Sequence, residues 1–228
     1  GEKGLHKEFD IMGSLGRVNK YGRVPFPLAF LDGESDAGLG EYVGKGAVLI
    51  SRRIKGDVLS LVDASRWQEL LSRELAVFQS RGAKLAKGLG VKDCAQDLQG
   101  KIALRLKTYL GLDSDAAVSD DVAELSCSPH GLIHGDCHPG NVILIDDAVT
   151  GRAVTFIDLE DVACGPLTAD LGSFLAHHKT KAVDTERLVS QYVESQDGFK
   201  GVPKAKIREW LWLSVSHQWL RQVAGTLE

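Results

Sequence analysis

Apolar residues change their spacing several times along this chain, and each change predicts an element. Leu5, Phe9, Met12 and Leu15 recur at helical spacing, so a helix is expected from Leu5 to about Leu15, weakened by Gly13 and Gly16. Pro25 and Pro27 then break the chain into an extended run, Pro27–Leu31. The acidic, glycine-rich stretch Asp32–Gly46 reads as a long hairpin connection to a strand over Gly46–Ser51, and Ser51–Gly56 as a polar hinge. Ala64 to about Leu89 carries the longest helical pattern, with Trp67, Leu70, Leu71, Leu75 and Phe78. Asp97–Leu110 is expected to be another helix and Asp120–Leu125 a shorter one, with Gly111–Ser119 as a loop between them. Brief apolar runs follow around Leu132–Leu144 and Val154–Ile157. Thr168–His178, Thr185–Glu194 and Lys204–Thr226 then read as helices, the last two separated by Gly198–Pro203.

This order predicts an α+β chain with a small strand region over 1–55 and a mostly helical body over 56–228. The later apolar runs hold about four residues each, short enough for ribbons on a helical body rather than for a wide parallel sheet. The central runs also carry chemistry. Leu132-Ile-His-Gly-Asp-Cys-His-Pro-Gly-Asn-Val-Ile-Leu144 is a strand, a tight loop and a strand, and Val154-Thr-Phe-Ile-Asp-Leu-Glu-Asp161 is a strand ending in acids. Asp136, Asn141 and Asp158 thus fall at neighbouring strand ends. Kinase-like phosphoryl transfer needs such a trio: one carboxylate for the attacking hydroxyl, and an amide and a second carboxylate for Mg²⁺ on the phosphates. The catalytic loop of protein kinases has the same five-residue step from Asp to Asn, with Arg where Gly135 stands here.

His134-Gly-Asp-Cys-His-Pro-Gly-Asn141, Ile157-Asp-Leu-Glu-Asp161 and Gly165-Pro-Leu-Thr-Ala-Asp-Leu-Gly172 together resemble the aminoglycoside phosphotransferase / choline kinase family. The resemblance implies a protein-kinase-like fold, with a partial N-terminal lobe before a helical C-terminal lobe. It implies transfer of the ATP γ-phosphate, with Mg²⁺, to a small-molecule hydroxyl on an aminoglycoside- or choline-like acceptor. Some relatives phosphorylate proteins and have Cys after the loop Asp, as Cys137 does here. Asp136 is then the expected catalytic base, and Asn141 and Asp158 the expected metal ligands. His134 is expected to support the loop backbone, and Asp170 to bond the catalytic loop. His138 is expected either to line the acceptor site or to cap a turn. Glu160 and Asp161 are read as part of an acidic wall for a cationic acceptor, as a metal ligand, or as solvated acids. Adenine is expected against the hinge residues Ile50, Ser51, Arg52, Arg53 and Ile54. The nine residues from Asp158 to Pro166 leave no room for a long activation segment.

Glu8 fits the helix Glu that pairs with a strand Lys in this fold, but Lys3 and Lys7 stand too close to be that Lys. The expectation is a chain that begins inside the small lobe, with Glu8 unpaired and turned to solvent and with activity low or absent. An inactive, pseudokinase-like binding module and a protein Ser/Thr kinase of the same superfamily remain alternatives. A metallohydrolase using His134, Asp136 and His138 would need a further ligand-bearing motif.

Composition narrows the setting. A net charge of −4 supplies no basic patch for nucleic acid, and no run of 18 apolar residues suggests a membrane span. Cys94, Cys127, Cys137 and Cys164 show no C-x-x-C spacing, which suits a reduced, cytoplasmic protein without structural zinc. The oligomeric state is not legible.

Overall fold

The computed structural model describes residues 2–18, 24–25, 27–32, 47–51, 53–86, 115–147, 151–178 and 183–225 of the 228. The chain begins with α1 (Glu2–Val18), a turn longer at its end than the apolar pattern predicts. Ile11, Met12 and Leu15 are buried on one face, and Glu8 lies on the same stripe. β1 (Pro27–Asp32) and β2 (Ala47–Ser51) form an antiparallel ribbon, with Phe30 opposite Leu49, and it packs beside α1. The chain then runs through a short β3 (Asp57–Val58) and two 3-10 turns, Leu59–Leu61 and Ala64–Arg66.

The predicted helix from Ala64 to Leu89 is divided. Asp63 accepts from the Ser65 N–H and caps the 3-10 turn, Trp67 adopts φ −126°, and α2 (Gln68–Ala86) starts after it. The longest described helix lies instead at the end of the chain. α3 (Asp115–Ser126) starts five residues before the predicted Asp120, because Asp115-Ala-Ala-Val-Ser is a helix-compatible run rather than a loop. The helix expected over 97–110 lies outside the described residues.

The strand region is built of ribbons. β4 (His130–Ile133) pairs antiparallel with β7 (Ala163–Pro166), and β3, β5 (Val142–Asp147) and β6 (Gly151–Phe156) form a three-stranded antiparallel sheet. β3 and β7 were not legible in the sequence, since two and four residues are too few to show a period. α4 (Thr168–His177), α5 (Thr185–Ser195) and α6 (Lys204–Gly225) complete the body, with α6 packed along α4 and α5 against α2.

The core fills the space between α2 and the ribbons. Trp67, Leu71, Leu75, Phe156, Leu171 and Phe174 are all sealed from solvent. Phe174 meets the Trp67 ring edge-on at 5.4 Å, and Phe78 packs on Phe156 at 5.1 Å. The ends of β4, β5 and β6 rest on this core, and the polar residues that follow them form the site. Among the described residues no helix is long and apolar enough to cross a membrane.

Candidate active site

Two backbone segments meet at the site. The catalytic-loop segment leaves β4 at Ile133, returns into β5 at Val142, and lies beside the segment that leaves β6 at Phe156. Register pairs Val142 with Phe156, so Asn141 sits next to Ile157, whose N–H donates to the Asn141 carbonyl at 3.0 Å. The Asn141 side chain turns back along its own loop. Its Nδ2 donates to the Asp136 carbonyl at 3.2 Å and to Asp136 Oδ2 at 3.3 Å. Asn141 is thus tied to Asp136 through its side chain and, through its carbonyl, to Ile157, the residue before Asp158.

Asp158 has φ +60°, the one positive φ among described residues other than glycine. Asp tolerates this left-handed region better than most residues, yet it is a conformation that its surroundings must hold. Both neighbours are fixed. Ile157 is bonded through its N–H to Asn141, and its carbonyl accepts from His134 Nε2 at 2.8 Å. The Leu159 N–H donates to Glu8 Oε1 at 3.2 Å, and the Leu159 side chain is fully buried. The Asp158 carboxylate is left exposed between two pinned residues.

Glu8 does not turn to solvent as expected. It is buried, because its place on the apolar stripe of α1 points it at the segment after β6. Burial pushes its carboxyl above the usual range, with Asp158 and Glu160 adding to the shift and the Leu159 N–H opposing it. Glu8→Ala leaves the buried Leu159 N–H without its acceptor and is expected to cost about 1–3 kcal/mol, whereas Glu8→Gln keeps an acceptor and removes the buried charge. Urea unfolding of the two variants should rank Gln well above Ala, and equal losses would show that the hydrogen bond does not matter.

His134 supports the loop, as the resemblance implied. Its Nε2 must carry the proton to bond a carbonyl, so Nδ1 is the acceptor that faces the Asp136 N–H at 3.4 Å. Asp170 is buried beneath the loop. Its carboxylate accepts from the His134 N–H at 2.9 Å, the Gly135 N–H at 3.1 Å and Gln79 Nε2 at 3.0 Å. Burial raises its pKa, while His134 and these donors pull it down. Gly135 takes φ +84°, and a Cβ there would collide with the Asp161 carbonyl, which explains why this loop has no Arg at that step.

His138 does cap its turn. Nδ1 accepts from the Gly140 N–H at 3.0 Å, so the neutral ring carries its proton on Nε2, 3.6 Å from Asp136 Oδ2. The ring packs against His177 at 5.3 Å. A cavity of about 380 Å³ opens beside these two rings, under the 3-10 turn at Leu59. Glu160 and Asp161 are exposed and lie outside the described lining of that cavity.

The described hinge residues lie at the end of β2 and just after it. Ile50 is exposed at the end of β2, Ser51 pairs with Pro27, Arg53 is exposed, and Ile54 is half-buried in an extended segment. Arg52 lies outside the described residues.

Several residues that shape the site escaped the sequence reading. Gln79 donates to Asp170 and accepts from the Tyr192 hydroxyl at 2.6 Å and from Gln196 Nε2 at 2.9 Å. A glutamine next to Phe78, in the apolar stripe of α2, was the available signal. His217 is buried on α6 with neither ring nitrogen hydrogen-bonded, and Asp121 Oδ2 is 3.7 Å away. Burial lowers the pKa of both His217 and His138, against the pull of Asp121 and Asp136 respectively. The unfolded chain then takes up these protons first. Stability is complete above about pH 6.5 and falls as the pH drops towards the depressed folded values, by at most about 1.4 kcal/mol per pH unit for each His. His217→Phe should flatten the fall in stability between pH 6.5 and 5 in chemical denaturation, and an unchanged slope would remove His217 from the acid response.

The donor set suits a hard cation shared with phosphates. Mg²⁺ is held by one or two protein oxygens together with phosphate oxygens, and the Asn141 amide and the Asp158 carboxylate are donors of that kind. Among the described residues no group of three His, Cys, Asp or Glu side chains is arranged to hold a metal ion.

Comparison with known proteins bears on the family and the fold. The model of a family described as the phosphotransferase enzyme family matches residues 2–206. No curated protein matches the chain by sequence. Among solved structures, the GDP complex of wild-type aminoglycoside 2'-phosphotransferase-IIIa aligns with TM-score 0.69 and 16% identity, over 98% of this chain and 75% of that one. An ethanolamine kinase from Plasmodium vivax aligns with TM-score 0.64 and 14% identity, over 99% of this chain and 65% of that one. An aminoglycoside phosphotransferase, APH(3'')-Id from Streptomyces rimosus, solved with ADP and streptomycin, aligns with TM-score 0.60 and 18% identity, over 96% and 83%. At these identities the likeness concerns the fold, which is the protein-kinase-like fold.

Proposed function

The chain belongs to the phosphotransferase enzyme family, and from that membership we propose that it moves the γ-phosphate of ATP, with Mg²⁺, onto a hydroxyl of a small molecule. The observation that carries the reading is the hydrogen bond from Asn141 Nδ2 to Asp136 Oδ2, made while the Asn141 carbonyl receives the N–H of the residue before Asp158. That arrangement supports the reading by setting the expected base beside Asn141 and bonding Asn141 to the residue before Asp158.

Asp136 takes the proton of the acceptor hydroxyl and aligns its oxygen with the γ-phosphorus. Asn141 and His138 both face Oδ2 of Asp136, and Oδ1 is the oxygen left for the acceptor. Asn141 Oδ1 and the Asp158 carboxylate would hold the cation, which would supply charge neutralisation on the phosphates. Glu8 and His134 act on Asp158 through the backbone on either side of it. Adenine is assigned to the backbone of residues 50–54, and the boundary between the lobes to the extended segment ending near residue 55. In the solved relatives GDP and ADP are the nucleotides named, and guanine and adenine are both compatible with a backbone-lined hinge.

Mn²⁺–ATP tests the reading as a paramagnetic stand-in for the Mg²⁺ complex. In ¹⁵N-labelled protein it should broaden the Asn141 side-chain amide and the backbone amides of Asp158 and Leu159 first. Broadening that spares these groups and appears elsewhere overturns the assignment.

A further inference from the structure

The cavity beside the catalytic loop is walled by imidazoles rather than acids. Its described lining includes His138 from the loop, His177 and His178 from the end of α4, Ser60, and the apolar Leu59 and Val62. This frame is fixed. The Ser60 N–H donates to the Pro139 carbonyl at 3.3 Å, joining the 3-10 turn to the catalytic loop. His178 packs on Trp67 and Phe174 at 5.5 and 5.6 Å. His177 Nδ1 donates to the Ser173 carbonyl at 2.8 Å, so the neutral ring offers Nε2 as an acceptor. His138 offers an Nε2–H on the Asp136 side. The described wall thus holds a donor, an acceptor and the Ser60 hydroxyl above an apolar floor. None of its described lining residues is a carboxylate, and Asp136, which stands beside His138, is the base itself.

Resting on the phosphotransferase reading, we propose that this cavity receives the acceptor, and that the acceptor is an uncharged polyhydroxylated ring, a sugar or a cyclitol, rather than a polycation. Hydroxyls both donate and accept, so they satisfy imidazole nitrogens and a serine in either sense, while the C–H face of a ring covers Leu59 and Val62. An ammonium group brought against this wall would lose water and gain no opposite charge. The volume, about 380 Å³, is at the low end for ligand pockets and suits a compact ring compound. In the transfer, the acceptor oxygen forms its bond to the γ-phosphorus and the bond to the β,γ-bridging oxygen breaks. The hydroxyl proton passes to Asp136, and ADP leaves with the bonding pair.

The test is transfer from γ-labelled Mg²⁺–ATP by the full 228-residue chain to D-glucose, D-ribose and myo-inositol, set against kanamycin and choline. At least one uncharged compound should exceed both cations in kcat/KM by about tenfold or more. Faster transfer to kanamycin or choline overturns the inference. So does tighter calorimetric binding of kanamycin or choline than of any uncharged compound to the chain loaded with Mg²⁺–ATP, the readout that decides where turnover is low. Failure to bind Mg²⁺–ATP at all would instead overturn the phosphotransferase reading on which it rests. His177→Glu supplies a second readout. A carboxylate placed in this wall should raise KM for the uncharged acceptor about tenfold and increase transfer to kanamycin, with ATP affinity kept as the sign of a folded protein. An unchanged preference in that folded variant would remove His177 from the acceptor site.

Discussion

In an enzyme with an intact small lobe, replacing Asp136 by Ala should lower kcat by roughly 10²–10⁴, the usual span for a positioned proton acceptor, while ATP affinity changes little. The reason is geometric. Asp136 is held through one oxygen by Asn141, and it stands beside His138 without being sealed in by either. Its removal takes away the group that receives the hydroxyl proton and aligns the attacking oxygen, but no predicted ligand of the metal or the nucleotide. Asp136→Asn keeps the shape and the contact to Asn141 but cannot accept the proton, so it should fall in the same range. Turnover near that of the wild-type chain in either variant would remove Asp136 from the mechanism.

The largest effect on stability is expected at Asp170. Ala at this position leaves the His134 N–H, the Gly135 N–H and the Gln79 side chain without the buried carboxylate that now accepts from all three. A buried donor left unsatisfied costs about 1–3 kcal/mol, so the loss should reach about 4 kcal/mol or more. That is a large part of the 5–15 kcal/mol that typically holds a domain. The catalytic loop hangs from the same carboxylate, so activity should fall with stability. Gln79→Ala removes one donor and also breaks the links to Tyr192 and Gln196, and should cost less than Asp170→Ala. Urea denaturation of both variants checks the order, and a loss at Asp170 below about 1 kcal/mol would show that the loop is held by other contacts.

The sequence carried the parts of this site that depend on residue type and spacing. Asp136, Asn141 and Asp158 were legible because short apolar runs set each of them at a strand end, and Asp170 through the resemblance of Gly165–Gly172 to the family's motif. The direction of Glu8 was not. Its position on the α1 stripe was readable, but its partner is a backbone N–H 151 residues away, and a backbone donor leaves no mark in the sequence. The strained φ of Asp158 was hidden for the same reason, since the groups that hold it are backbone atoms of its neighbours bonded to His134, Asn141 and Glu8. The histidine-lined cavity needed the end of α4 brought against the catalytic loop and the 3-10 turn at Leu59, a tertiary event that no local pattern encodes. The early start of α3 and the break before α2 are smaller misses. In the first, helix propensity outweighed a run that reads as loop, and in the second a capped 3-10 turn interrupted a continuous apolar period.

The central claim is that Asn141 and Asp158 hold a divalent cation on a nucleotide beside Asp136. Calorimetric titration of ATP into the chain, with and without Mg²⁺, tests it most directly when repeated on Asp158→Ala. Mg²⁺ should tighten ATP binding to the wild-type chain by about tenfold or more, the affinity gained from a charge-neutralising cation, and that gain should vanish in Asp158→Ala. Equal affinity for ATP with and without Mg²⁺ in the wild-type chain, or a gain that survives in Asp158→Ala, would contradict it.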